Sequence, residues 1–241
     1  MKLPCKICGG EVEWVGTIRF SQTVQPPDVT PPRLWYESDW LVSYVRCRDC
    51  GFLFTRDFDA WTDEDFRTGI YNDDYAFVDP DCEDARPAAN ARLVAGLAGV
   101  PPNGSLKNVR ILDYGSWDGA LARHLREGYG AVDVDSHDGL MAPTLKDRLY
   151  DVVTCFEVLE HFVRPEVAVK EIRDHLQLAG QAYVSTLLQP EPYPDLDWWY
   201  VGPRNGHVSM FSRKSIKILF DRFDMNVRSM GAGLHIATRR S

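Results

Sequence analysis

The chain has 241 residues, enough for one sizeable domain and a small appendage, and its 44% hydrophobic content is ordinary for a globular protein. A formal net charge of −8 argues against general affinity for nucleic acid backbones and leaves room only for a local basic patch. No apolar run approaches the ~18 residues of a membrane helix, and no basic-then-apolar leader is visible, so a cytoplasmic location is expected.

The first segment carries Cys5-Lys-Ile-Cys8-Gly-Gly and Cys47-Arg-Asp-Cys50-Gly-Phe. Each is a Cys-x-x-Cys turn followed by glycine, the shape of a knuckle whose amides point at the sulfurs. Together Cys5, Cys8, Cys47 and Cys50 supply four thiolates, a closed tetrahedral set suited to structural zinc with no open position for catalysis. Two disulfides or a redox pair are the competing readings; the missing leader and the doubled motif disfavour them. Between the knuckles lie a proline-rich loop, Gln25 to Arg33, and an apolar strand over 41–46. Cys82 and Cys155 read as small buried hydrophobes.

Residues 56–84 are acidic and aromatic, and a helix over about 86–97 and a Pro-Pro-Asn-Gly linker at 101–104 follow. Val109-Arg-Ile-Leu-Asp-Tyr-Gly-Ser-Trp-Asp-Gly119 then reads as a buried strand ending at Asp113. It turns sharply, through Gly115 and Gly119, into a helix over 120–127; a strand, a glycine turn and a helix N-terminus make a cofactor cradle. A second strand is predicted over 129–135. An acidic side chain at its end can accept hydrogen bonds from both ribose hydroxyls, and Asp135 and Asp133 are the two candidates.

Residues 136–149 have room for a loop or a single turn. Tyr150-Asp-Val-Val-Thr-Cys-Phe-Glu-Val-Leu-Glu-His161 is another buried strand, running into a carboxylate-rich corner. A helix over 164–176 buries Val169, Ile172 and Leu176, and a strand covers 182–187. The chain then leaves on a proline-stiffened excursion ending in Trp198, Trp199 and Tyr200, with Arg204 and His207 beyond. The three aromatics are candidates for a stacking wall under a sugar or heterocycle, with Arg204 or His207 anchoring an anion; covering exposed core is the competing role. A helix capped near Ser212 and a final hairpin, 225–229 with 234–238, complete the chain.

Over about 105–240 these motifs resemble the class I S-adenosylmethionine-dependent methyltransferases. Asp113-x-Gly115-x-x-x-Gly119 is similar to their first cofactor motif, and the 150–161 stretch to the strand and corner beside the methyl group. The resemblance implies an α/β fold: a Rossmann-like methyltransferase sheet with a reversed last strand, plus a small N-terminal zinc-ribbon-like module. The implied division is 1–56 for the module, 57–104 for a connector that contributes to the cofactor site, and 105–241 for the methyltransferase domain. It implies S-adenosylmethionine as cofactor, contacted by Asp113, Gly115, Ser116, Trp117, Gly119, Phe156 and Glu157. Relatives with a paired knuckle carry a Tyr-x-x-x-Tyr stretch that approaches the cofactor, similar to Tyr71 and Tyr75 here; packing the module onto the main domain is the alternative role.

Two departures stand out. Trp117 occupies a position where the family's motif carries glycine, so its indole must point away from the cofactor or cover it. The trimmed 136–149 segment removes the region that normally meets the adenine.

Methyl transfer from a sulfonium is an in-line displacement, so positioning does most of the work. An acceptor that carries a proton needs a base, and His161, Glu160 and His207 can serve. The expected substrate is a small polar molecule, a sugar or sugar nucleotide. The competing functions are methylation of RNA or protein with the ribbon as reader, and a non-catalytic interaction module on the same fold.

Overall fold

The computed structural model describes residues 4–24, 38–82, 84–101, 104–140 and 145–240. The proline-rich loop predicted from Gln25 to Arg33 lies outside them, as do parts of the predicted linker and of the trimmed segment.

The N-terminal region forms an antiparallel sheet from β1 (Val12–Arg19), β2 (Leu41–Cys47) and β3 (Leu53–Thr55). In β2 the alternation is plain: Val42 and Tyr44 point into a core while the residues between them are less covered. Three short helices or turns follow: α1 (Asp63–Gly69), α2 (Tyr75–Val78) and the longer α3 (Ala85–Leu97). Thr62 starts α1 with a reciprocal cap: its hydroxyl accepts from the Asp65 amide, and the Asp65 carboxylate accepts from its own.

The main sheet holds β4 (Arg110–Tyr114), β5 (Asp133–His137), β6 (Tyr150–Phe156) and β7 (Leu176–Ser185), with α4 (Ala120–Tyr129) and α5 (Pro165–His175) as crossovers. A two-residue strand, β8 (Ser209–Met210), precedes α6 (Arg213–Asp221) and the hairpin of β9 (Met225–Ser229) and β10 (Leu234–Arg239). The strand order is β5-β4-β6-β7-β10-β9; the first four are parallel, and β10 runs antiparallel between β7 and β9. This is the α/β sheet with a reversed last strand that the sequence led us to expect. β4 and β6 are buried almost throughout, which parallel strands covered on both faces require.

Helices α3 and α4 cover one face through Val94, Leu121 and Leu125 against Ile111 and Val152. The other face packs Ile172, Ile216, Leu219 and Phe220 against Leu112, Val153 and Val184. That second cluster continues without a break into Cys5, Ile7, Phe52, Phe54 and Phe211 around the knuckles. Each such side chain removed from water stabilises by roughly 1.5–3 kcal/mol. The module therefore shares its core with the main domain. It also borrows a strand from it: Leu53 and Phe54 of β3 pair with Met210 and Ser209 of β8. A boundary at residue 56 thus cuts through one packed unit.

Several expected boundaries move. Helix α4 runs to Tyr129, and β5 begins at Asp133 and continues to His137, because the parallel ladder pairs all of β4 and matches Asp113 with Ser136 and Tyr114 with His137. β7 begins directly after α5 at Leu176, and its pairing with β6 is irregular between Tyr150 and Val152. Among the described residues of 139–149 there is no helix or strand. No described helix is long and apolar enough to cross a membrane.

Candidate functional site

A cavity of about 630 Å³ opens where the C-terminal ends of β4, β5 and β6 meet the aromatic segment of α1 and α2. Two sharp corners form its floor. The first follows β4. Gly115 adopts φ +78, and a Cβ there would sit 2.3 Å from Cγ2 of Val158, so the two corners press together at a point only glycine tolerates. Trp117 also takes a positive φ of 49, and its N–H donates to Oδ2 of Asp138 at 3.2 Å. Its indole lies on the cavity wall in ring contact with Tyr71 and Tyr75, at 5.8 and 5.5 Å between centroids. The indole therefore faces the cavity rather than turning away from it.

Asp113, at the end of β4, is 4% exposed; Oδ1 accepts from the Thr154 hydroxyl at 2.9 Å, and Oδ2 has no hydrogen-bond partner. Burial pushes its carboxyl up to about 7. The Ser116 hydroxyl is likewise buried without a partner.

The second corner follows β6. Glu157 has φ 53, a strained conformation for a side chain of its size. Its Oε1 accepts from Ser185 Oγ at 2.8 Å, and the Tyr200 hydroxyl lies 2.9 Å from its Oε2. The same hydroxyl is 2.6 Å from Oε1 of Glu160. One phenolic proton cannot serve two carboxylates, so the pair binds best with an extra proton held between them. Both carboxyls are pushed up, Glu157 to about 8, by burial first and, for Glu157, by the Glu160 charge next.

His161 follows on a 3₁₀ turn, lines the cavity, and has Nδ1 without a hydrogen-bond partner. Burial lowers its basicity, so the ring is held towards the neutral form. His207 packs edge-on against it at 5.0 Å, donates from Nδ1 to the Tyr200 carbonyl at 2.8 Å, and is driven well below the usual imidazole range by burial.

The structure gathers Tyr71, Tyr75, Gly115, Trp117, Phe156, Glu157 and His161 on this cavity. Asp113 and Ser116 border a smaller cavity of about 60 Å³ behind the first corner, and Gly119 forms the N-cap of α4. Several expected site residues lie elsewhere. Asp135 is held by Lys146, Arg148 and the Tyr150 hydroxyl, and Asp133 by Arg148, so neither lines the cavity. The strand continues past both, and the carboxylate at its end is Asp138, which accepts from the Trp117 and Leu140 amides. Asp138 went unseen because the strand was drawn two residues short; aligning the ladder with Tyr114 would have found it.

Trp198, Trp199 and Tyr200 do not form an open stacking wall. Tyr200 is buried beneath Glu157 and Glu160, and the two indoles pack on it at 5.4 and 5.5 Å. Arg204 is buried and donates to the Ile70 carbonyl at 2.8 Å and to Asn72 Oδ1 at 3.0 Å, bracing the segment that carries Tyr71 rather than anchoring a substrate anion. Glu160 and His207 are buried behind His161 and do not reach the cavity surface.

The four knuckle cysteines converge, with Sγ atoms 3.7 Å apart for Cys5 and Cys50, 3.4 Å for Cys8 and Cys47, and all within 4.8 Å of one another. None is in a disulfide. A tetrahedron of sulfurs ~2.3 Å from a metal has edges of about 3.8 Å, the size seen here. Lys6, between Cys5 and Cys8, sends its ammonium to the Thr55 carbonyl, the Asp59 carboxylate and the Val163 carbonyl; Asp59 and Val163 belong to the cavity rim.

Comparison by sequence finds no match among curated proteins. By structure the chain is similar to CalO1, a methyltransferase in calicheamicin biosynthesis solved with SAH bound, with a TM-score of 0.50, 14% identity, and coverage of 76% of this chain and 63% of that one. It is also similar to the mitomycin 7-O-methyltransferase MmcR, with a TM-score of 0.47 and 13% identity over 64% of this chain and 54% of that one. LepI in its complex with SAM gives 0.42 and 9%, over 55% and 43%. The chain thus spans 43 to 63% of the length of these structures, and at such identities the likeness is one of fold. A family profile described as "Methyltransferase domain" matches residues 74–230, well over half of the sequence. The chain belongs to that methyltransferase-domain family.

Proposed function

We propose that the protein transfers a methyl group from S-adenosylmethionine to a hydroxyl of a small polar acceptor, with its four cysteines on a structural zinc ion. The observation that carries this reading is the floor of the large cavity. Two corners are pressed together at Gly115, a strand-end carboxylate is offered by Asp138, and orphaned polar atoms of Asp113 and Ser116 lie just behind. Orphaned buried groups cost about 1–3 kcal/mol each, which a polar ligand relieves. The donor set therefore fits the cofactor: Asp138 towards its ribose, Gly115, Ser116 and Trp117 around its middle, and Phe156 and Glu157 beside the reacting end. When bound, the cofactor supplies an electrophilic methyl on a sulfonium.

The chain's own residues do the rest. Tyr71, Tyr75 and Trp117 wall the cavity against water. His161, which lines the cavity and is held neutral by burial, is the base that takes the acceptor's proton. His207, itself held by Tyr200, packs against that ring from behind, and the Glu157–Glu160 pair keeps its shared proton, so the corner is not doubly anionic. Glu160 and His207 thus act through His161 rather than on the substrate.

The cavity's charge narrows the acceptor. Among the described residues its lining cations are Arg86, paired with Asp79, and Arg164, paired with Glu166, against carboxylates of Asp59, Asp63, Asp138 and Glu171. A diphosphate finds few partners there, so an unphosphorylated sugar or similar polyol suits the site better than a sugar nucleotide. The same acidity disfavours RNA.

The test is calorimetric titration of the metal-replete protein with S-adenosylmethionine and S-adenosylhomocysteine, followed by methyl transfer to paired sugars and sugar nucleotides. Micromolar binding and turnover of the unphosphorylated member are expected. Binding of neither ligand overturns the enzyme reading and leaves an interaction module on this fold. Metal analysis should return about one zinc per chain; none would remove the zinc assignment.

A further inference from the structure

The excursion after β7 ends in Gly202-Pro-Arg-Asn-Gly-His207, a stretch in which no residue lines either cavity. All six residues are nevertheless buried, and polar side chains taken out of water in this way need partners. Pro203–Asn205 form one 3₁₀ turn, closed by Gly206 at φ +84. Three regions meet on it. From the N-terminal module, the Gln22 carbonyl accepts from the Arg204 amide at 3.0 Å, and the Val24 amide donates to Asn205 Oδ1 at 2.9 Å. The Tyr44 hydroxyl of β2 donates to the His207 carbonyl at 2.8 Å. A Cβ on Gly202 would lie 2.5 Å from the Val24 nitrogen, so the module's backbone passes directly against the turn. From the base corner, the Glu160 carbonyl accepts from the Val208 amide at 2.9 Å. From the segment of α1 and α2, Arg204 holds Ile70 and Asn72, the residues on either side of Tyr71. The Tyr75 hydroxyl reaches the Asn205 carbonyl at 3.4 Å.

The closest approach is at Gly206. A Cβ there would lie 3.0 Å from the Tyr71 hydroxyl oxygen and 3.1 Å from Nδ1 of His161, nearer to both than a relaxed van der Waals contact of roughly 3.5 Å. The bare Cα of Gly206 is thus the spacer between a wall residue and the base, whose rings meet edge-on at 6.1 Å between centroids. Two constraints coincide: the positive φ favours glycine, and the lack of room excludes the Cβ that even a residue tolerant of that φ would bring. Transfer by in-line displacement depends on placement, and an error of about 1 Å can cost about 100-fold in rate.

We propose that the turn from Gly202 to Gly206 is a positioning device for the reaction: Gly206 sets the separation of the Tyr71 hydroxyl from the His161 ring, and Arg204 holds the Tyr71 segment at that separation. The inference rests on the methyl-transfer reading, in which His161 is the base. Gly206 and Arg204 are positioning residues, since neither lines the cavity and both act through the side chains they place. The N-terminal module gains a role beyond stability, because Gln22, Val24 and Tyr44 anchor the turn from the other side.

The experiment uses the full, metal-replete protein, isotope-labelled in its histidine rings. It reads the His161 ring signals by NMR, S-adenosylhomocysteine affinity by calorimetry, and methyl transfer to the best acceptor among the sugar and sugar-nucleotide pairs. Gly206→Ala should shift the His161 signals and lower kcat about 10- to 100-fold, with S-adenosylhomocysteine affinity within about threefold. Tyr71→Phe removes the oxygen that the new methyl meets. Combined with Gly206→Ala, it should return the His161 signals most of the way and raise kcat at least about threefold over Gly206→Ala alone. A merely structural role predicts the opposite, a second loss added to the first. Asn72→Ala takes away one acceptor of Arg204 without touching the turn; it should raise the acceptor's KM a few-fold at nearly unchanged kcat, and it keeps the test sound should Gly206→Ala fold poorly. Native-like His161 signals and rate in Gly206→Ala overturn the spacing role, as does a double variant no faster than Gly206→Ala. An unchanged KM in Asn72→Ala overturns the role of Arg204. Any of these outcomes in a protein that still methylates leaves the methyl-transfer reading intact. Native protein that binds no S-adenosylhomocysteine and methylates no acceptor sinks that reading and the positioning role with it.

Discussion

The knuckle cluster and the corner of Glu157, Glu160 and His161 are both sets of ionisable groups taken out of water, and they solve the same problem in opposite ways. Four thiols within 4.8 Å of one another form a set that suits an external cation. The two glutamates instead retain a proton and share the Tyr200 hydroxyl, while both imidazoles are held neutral. With the zinc ion proposed above, the first region would be neutralised from outside and become rigid; the second neutralises itself and stays able to move a proton. A cluster of titratable groups is therefore a scaffold or a reaction centre according to what balances its charge.

That contrast can be broken most severely at the cysteines. Cys50→Ser should lose the metal, and with it several kcal/mol or more of the ~10–16 kcal/mol that such zinc sites contribute, visible as a large fall in thermal midpoint and as zinc near zero by elemental analysis. At the corner, His161→Asn should lower the turnover rate about 10²- to 10⁴-fold with little change in S-adenosylhomocysteine affinity or unfolding midpoint. A parallel loss of cofactor affinity would mean that the ring is a support, as the thiols are.

The shared proton makes a third contrast. Glu157 has a folded value near 8 against ~4.3 unfolded, so the folded state binds more protons between those limits. Its contribution is complete below about pH 4 and disappears as pH rises through about 8, so stability to urea should fall from pH 6 to pH 9 by roughly 3 kcal/mol. Glu157→Gln should flatten that slope, and an unchanged slope would place the proton elsewhere. The smallest effect is expected at the strand end, where Asp138→Asn should weaken cofactor binding about tenfold while Asp135→Asn changes stability alone; the reverse pattern would restore Asp135 to the ribose.

The two regions also differ in how they are written in the sequence. Each knuckle is local, four residues and a glycine, so the ligand set could be read directly from Cys5, Cys8, Cys47 and Cys50. The sheet was legible for a related reason: the apolar-rich runs at 110–114 and 150–156 belong to strands buried along most of their length. The corner depends on contacts across more than forty residues, Tyr200 with Glu157 and Arg204 with Ile70, which no spacing records. Aromatic and charged residues in the 198–207 excursion look alike whether they face a substrate or brace the residues that do. That Asp138 lines the cavity was hidden by something simpler: β5 runs two residues further than its apolar pattern indicates.

The ammonium of Lys6 has three protons and three acceptors, two of them on the rim of the large cavity, while the residue itself lies between Cys5 and Cys8 in the first knuckle. Lys6 thereby ties the mouth of the cavity to the knuckle, and the two are expected to open together. In hydrogen exchange, the amides around Asp59 should lose protection together with those of the knuckle when the metal is withdrawn, although no ligand of the metal touches the cavity. Protein purified in the presence of a chelator would retain its main sheet yet present a frayed entrance, and its acceptor affinities would report the state of the thiols as much as the fit of the acceptor.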